Sequence, residues 1–147
     1  MRRGSKIVLT TIFVLMILFL ISCPIVNNIF ANRIIADIES VPLPQDTQIA
    51  ERFSQAGNLV GNGNGMQFFG AILIESELSF EDLNKHYSLY RETPWEYIVE
   101  VQDTQNIDVI EHGTFAFETD VSNRNFYIVY SWGNGLSPFQ DLDLRGH

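Results

Sequence analysis

IVLTTIFVLMILFLISCPIV, from Ile7 to Val26, is a run of twenty residues without a charge. A helix rises about 1.5 Å per residue, so this stretch spans roughly 30 Å, the thickness of a bilayer's hydrocarbon core. Charged side chains are costly at that depth, and their absence is what a spanning helix requires. Residues 1–6 form a basic tail carrying Arg2, Arg3 and Lys6, whereas the opposite flank is polar and then acidic. The positive-inside rule therefore predicts a single-pass cell-membrane protein with a cytoplasmic N-terminus and an extracytoplasmic C-terminal domain.

Two other readings compete with this uncleaved anchor, whose weak point is Pro24, a residue that bends or ends helices. Leu20-Ile21-Ser22-Cys23 resembles a bacterial lipobox, which makes lipidation and anchoring at Cys23 the alternative. Against it, Pro24-Ile25-Val26 and then Ile29-Phe30 keep the chain apolar where a lipoprotein usually continues with a polar tether. Simple secretion with cleavage after Ala31 is the third reading, but Ile29 fits an A-x-A site poorly.

Beyond the span, residues 27–44 read as a stalk. Ile29, Phe30, Ile34, Ile35 and Ile38 recur at helical spacing, and Val41-Pro42-Leu43-Pro44 then forbids helix. The folded domain is expected over residues 45–147. Residues 47–56 fit a strand or a short helix capped by Asp46. Strand is preferred, because MQFFGAILI (66–74) is strand-like and needs a partner across a turn at Gly61-Asn62-Gly63-Asn64-Gly65. Residues 79–91 predict the domain's main helix. Ser79 and Asp82 suit a capping box, Glu81 and Asp82 suit its N-terminal end and Arg91 its C-terminal end. Phe80, Leu83, Tyr87 and Tyr90 share a face, and Pro94 stops the helix. Three further strand regions follow, at 95–101, 107–117 and 126–132 (FYIVYSW), before an irregular tail with Gly133-Asn134-Gly135. Short connections imply antiparallel pairing. The expected fold is α+β: a transmembrane helix, then a two-layer β-β-α-β-β-β domain with one main helix packed on an antiparallel sheet.

The chain has 147 residues, 46% of them hydrophobic, which suits one folded domain and not a disordered one. From Cys23 onward, six basic residues face eighteen acidic ones, a balance of −12. Such a surface repels phosphate backbones, so no nucleic-acid partner is expected. One cysteine excludes an internal disulfide and a CxxC site.

Few residues are placed for chemistry. Gly61–Gly65 lacks the Lys-Ser/Thr of a phosphate loop and misses the GxGxxG spacing, so it reads as a flexible turn, with Asn62 and Asn64 as ligand-gripping candidates. His86, His112 and His147 form no metal-ligand spacing. His86 fits the edge of the helix's apolar side, and Glu111 and His112 neighbour each other at a turn. Asn62, Asn64, His86, Glu111 and His112 are the candidate ligand-binding residues, Cys23 the candidate lipidation site, and no catalytic residue, metal site or cofactor is assigned. The carboxylate pairs Glu75/Glu77 and Glu96/Glu100, and Asp141 with Asp143, read as solvated acids in a chain with eighteen of them.

The stretches Leu59-Val60-Gly61-Asn62-Gly63-Asn64-Gly65-Met66-Gln67-Phe68-Phe69-Gly70, Ile107-Asp108-Val109-Ile110-Glu111-His112-Gly113, Tyr130-Ser131-Trp132 and Asp143-Leu144-Arg145-Gly146-His147 resemble an uncharacterised family of small membrane-anchored proteins of Gram-positive bacteria. The resemblance implies a bacterial envelope protein and brings no activity, cofactor or site. The expected role is a non-enzymatic binding or scaffolding domain whose protein or cell-envelope partner is unknown, with the membrane as the other partner. The alternative is an envelope hydrolase using Glu111 with His112 or His86.

Overall fold

A computed structural model describes residues 3–90, 96–133 and 137–147. Its first element, α1 (Arg3–Ser40), is one helix of 38 residues, about 57 Å long. It continues through Pro24 and ends where Val41 N–H turns back to Ile38 O ahead of Pro42 and Pro44. Among the described residues it is the one helix long and apolar enough to cross a membrane. Residues 7–21 are exposed throughout. From Cys23 onward the helix changes character: Cys23, Asn27, Ala31, Ile34, Ile38 and the following Val41 are buried. Their spacing of three and four places them on one stripe.

That stripe packs on the sheet. The strands are β1 (Thr47–Gly57), β2 (Gln67–Ser76), β3 (Ile98–Val101) and β4 (Phe126–Gly133), all antiparallel, in the order β1-β2-β4-β3. Residues 47–56 are thus strand. β1 runs beside β2 from Thr47↔Ser76 to Gly57↔Gln67, with one bulge between Ile49 and Glu51. Helix α2 (Phe80–Ser88) starts at the Ser79 cap, whose side chain accepts Asp82 N–H at 3.2 Å. The reciprocal half of a capping box does not form: the Ser79 hydroxyl donates to the Asp82 carboxylate instead. Leu83 and Tyr87 are its buried residues, while Phe80 and Tyr90 stay half exposed. Arg91, Pro94, Trp95, Asn134 and Gly135 lie outside the described residues.

Both faces of the sheet are covered. Phe68, Ile72 and Ile74 of β2 join Tyr127 and Val129 of β4 against Ile34, Ile38, Leu83 and Tyr87. The alternate residues Phe69, Ala71, Leu73, Ile128 and Tyr130 meet Ile107, Ile110, Phe117 and Val121. Burial on two faces explains why β2 is a nearly unbroken apolar run and not an alternation. Each large side chain buried in this way contributes about 1.5–3 kcal/mol. Gly70 sits where α1 crosses β2. A Cβ there would lie 2.7 Å from Ile34 Cβ and 3.1 Å from the Ile35 backbone nitrogen.

The architecture is α+β, with two departures from the expected detail. Residues 107–117 do not form the expected strand. They belong to an irregular excursion with a single bridge, Asn106↔Ala116. Ile107 and Ile110 are three apart and joined by a turn, Ile110 N–H to Ile107 O, which no strand allows. Gln102 and Gln105 hold the excursion by donating to the carbonyls of Thr104, Asn106, Phe117 and Glu118. The second departure is the stalk. Residues 31–41 are part of the core and form its main helical layer, so packing begins well before residue 45. Ile34, Ile35 and Ile38 make a stripe too apolar to stand in water, and the sheet supplies its cover.

Candidate functional site

Four of the five candidate residues come together at one end of the sheet, where β1 leaves and β2 enters. The connecting loop, 58–66, is anchored by Gln67, whose side chain accepts Leu59 N–H at 2.7 Å and Val60 N–H at 2.9 Å and donates to Val60 O. Glu111 and His112 arrive from the excursion, both giving their backbone N–H to Leu59 O at 2.9 Å. The Glu111 carboxylate accepts Gly61 N–H at 2.8 Å. His112 Nδ1 lies 3.2 Å from Asn58 O and 3.1 Å from Asn58 Oδ1, which makes Nδ1 the donor. Asn62 and Asn64 are exposed on the loop. Gly61 has φ +79°, and Gly63 has no such value.

His86 is elsewhere. Its Nε2 lies 2.7 Å from Pro42 O, at the far end of α1, and its ring contacts Tyr87 and Tyr90. Along the helix axis that is roughly 20 Å from the Asn28 level. His86 pins α2 to the linker after α1 and does not join Glu111 and His112.

A second constellation lies beside the loop cluster. The C-terminal segment, 137–147, folds back onto the middle of α1. Asn27, fully buried, donates to Asp143 Oδ2 at 2.8 Å. Arg145 closes on Asp143 at 2.7 Å, and also donates to Asn28 Oδ1 at 2.9 Å and Pro24 O at 3.1 Å. Burial disfavours the Asp143 charge. The hydrogen bonds from Arg145 and Asn27 and the guanidinium charge outweigh it, and hold the carboxyl down at about 2. Asn27 Oδ1 is left without a partner. Phe139 meets Phe19 edge-to-face at 5.6 Å, and Cys23 is buried with its thiol 3.4 Å from Phe19 O. Backbone bonds Asn58 N–H to Arg145 O and Gly65 N–H to Gly146 O, both 2.7 Å, tie this segment to the glycine-asparagine loop.

No protein-family model, no curated protein and no solved structure matches the chain.

The chemistry available in the loop cluster is modest. Glu111 Oε2 is engaged by Gly61 N–H, and His112 Nδ1 by the backbone and side-chain oxygens of Asn58. A concavity of about 380 Å³ lies at the opposite end and is lined by Asp46, Thr47, Gln48, Glu75, Ser76 and Glu77. None of the five candidates lines it. Glu75 there is held by Arg124 at 2.7 Å and Gln48 at 2.9 Å, and these contacts lower its pKa. Among the described residues no group of three His, Cys, Asp or Glu side chains is placed to hold a metal. Tyr87 OH is buried without a partner, and burial pushes its pKa up to about 12.

Sequence reasoning missed Asn27, Asp143 and Arg145 as a unit. The signals are present: a polar Asn27-Asn28 pair interrupts an apolar helix, and Asp143-x-Arg145 puts two opposite charges near each other. What no local pattern supplies is the pairing across 116 residues.

Proposed function

We propose that this chain is a single-pass membrane protein, its N-terminus cytoplasmic, that holds a small α+β domain outside the cytoplasm as a non-enzymatic binding or scaffolding module of the bacterial envelope. The observation that carries this reading is the change of character within α1. From Ile7 its first half exposes an uncharged, largely apolar surface, and its second half is the main helical layer of the domain. An exposed surface of Ile7, Leu9, Ile12, Phe13 and their successors is unfavourable in water and suits lipid. The domain is therefore mounted on its anchor through one continuous helix, without a flexible tether. Arg2, Arg3 and Lys6 on one side and the acidic domain on the other set the orientation.

The continuation of α1 through Pro24 into the domain, with Pro24-Ile25-Val26 and Ile29-Phe30 apolar where a lipoprotein usually has a polar tether, favours the uncleaved anchor over lipidation. A binding role is favoured over hydrolysis because His86 stands apart from Glu111 and His112, and Glu111 Oε2 and His112 Nδ1 are engaged by the loop at Gly61 and Asn58. The test is alkaline carbonate extraction of membranes from cells producing the full chain and a variant lacking residues 3–21. The full chain is expected to stay in the membrane pellet. Release of the full chain by carbonate overturns the anchor.

A further inference from the structure

We infer that the C-terminal segment, 137–147, is a second membrane contact: an interfacial foot that lays Leu142 and Leu144 onto the bilayer beside α1. The inference rests on the reading of α1 as a membrane span. Counted from Ile7, Phe19 lies about 18 Å into a hydrocarbon core about 30 Å thick, and Asn27 falls at its outer boundary. The segment is fixed at this depth. Phe139 packs on Phe19, and Asp143 and Arg145 hold Asn27, Asn28 and Pro24 O. A body held there touches lipid.

The segment is dressed for that position. Asp143 is 3% exposed and turns inward to Asn27, while its neighbours turn outward, Leu142 to 49% exposure and Leu144 to 86%. Leu144 is the most exposed large apolar side chain described, ahead of Leu89 at 75% and Val101 at 60%, and of these it alone belongs to the segment that packs on the span. Ile25 and Ile29 on α1, 56% and 48% exposed, lie at the same level. Asp143 and Arg145 neutralise each other, which leaves Asp141 and His147 as the exposed titratable side chains of the segment. Short apolar side chains at the acyl boundary with polar groups above them are the pattern of interfacial binding, not of a second span. Asn58 and Gly65 bond the same segment, so the foot also fixes the glycine-asparagine loop next to the membrane surface.

The test uses the full chain with Cys23→Ala, carrying one new cysteine labelled with the environment-sensitive fluorophore NBD, in phosphatidylcholine vesicles. The sites are Leu144→Cys for the foot, Leu15→Cys for the span and Gln45→Cys for the distal end. Leu144 and Leu15 are largely exposed, so labelling leaves the fold intact, which circular dichroism verifies. Lipids brominated near the top of the acyl chain should quench most of the emission at 144, lipids brominated near the chain end most of that at 15, and neither that at 45. Quenching at 15 but not at 144 overturns the foot and leaves the anchor standing. Loss of quenching at both overturns the anchor as well. A blue-shifted probe at 144 that no brominated lipid quenches means that protein covers the leucines, and it too overturns the proposal.

Discussion

Gly70→Ala is the sharpest probe of how α1 joins the sheet. The new methyl would stand 2.7 Å from Ile34 Cβ, 2.8 Å from Ile34 Cγ2 and 3.1 Å from Ile35 N. Carbon atoms rest at about 3.5–4.0 Å, so α1 and β2 must separate by roughly 1 Å. Two of the three neighbours cannot swing aside, being a Cβ and a backbone nitrogen on a helix. Ala31, Ile34, Ile35 and Ile38 lie on the same seam and lose contact together. Overpacking of this kind costs about 1–3 kcal/mol, of which roughly 0.5–1 kcal/mol returns because alanine suits a strand better than glycine. The contacts at 2.7–3.1 Å put the cost in the upper part of that range, about 2–3 kcal/mol, so the net is a loss of about 1–2.5 kcal/mol, or roughly 5–15 °C in Tm for a domain of this size. Thermal melts followed by circular dichroism in detergent micelles measure it. Ile34→Ala keeps the offending Cβ, so adding it to Gly70→Ala should not restore the wild-type Tm. A Gly70→Ala protein that melts at or above wild type refutes the close crossing of α1 over β2.

Three further outcomes follow from named contacts. Asp143 falls from an ordinary 3.8 to about 2 in the folded chain, worth about 2 kcal/mol that is present above pH 4 and lost as pH falls through 2. The melting temperature should drop across that window, and Asp143→Asn should lower stability at neutral pH and flatten the acid limb; an unchanged limb contradicts the ion pair. Gly61→Val should lose on the order of 1 kcal/mol or more because its φ is +79°, whereas Gly63→Val, with nothing within 4 Å and no such φ, should cost little; equal Tm losses in parallel melts refute the loop geometry. Cys23→Ala should leave apparent mass and membrane retention unchanged, and an upward band shift with loss of incorporated radiolabelled fatty acid reverses the preference for an uncleaved anchor.

Local signals carried much of the fold. The uncharged run, the Ser79 cap, the paired prolines after Ser40 and the β-rich FYIVYSW each act over a few residues and located α1, α2 and β4. Gly70 lies inside an apolar strand, a place where backbones can approach closely, but only the structure shows that α1 is what crosses it. The rest depends on distant partners. The stripe Ile34-Ile35-Ile38 announces a buried face without saying what buries it, and the answer is β2. The apolar residues of 107–117 announce burial too, but glutamine side chains and turns, not a strand, deliver them to the core. For the candidate site, Glu111-His112 and the glycine-asparagine loop were visible as separate motifs 50 residues apart, and only their hydrogen bonds join them. His86 looked equivalent in sequence and is not, because α2 carries it to Pro42.

The proposed arrangement is a domain carried by one continuous helix on a membrane span, with its bulk outside the cytoplasm. Single-cysteine accessibility in intact cells tests it most directly. In a Cys23→Ala background, a membrane-impermeant maleimide should label Gln45→Cys in intact cells and Ser5→Cys only after lysis. Labelling of Ser5→Cys in intact cells with Gln45→Cys protected inverts the topology, and protection of both until lysis places the whole domain inside; either result contradicts the account.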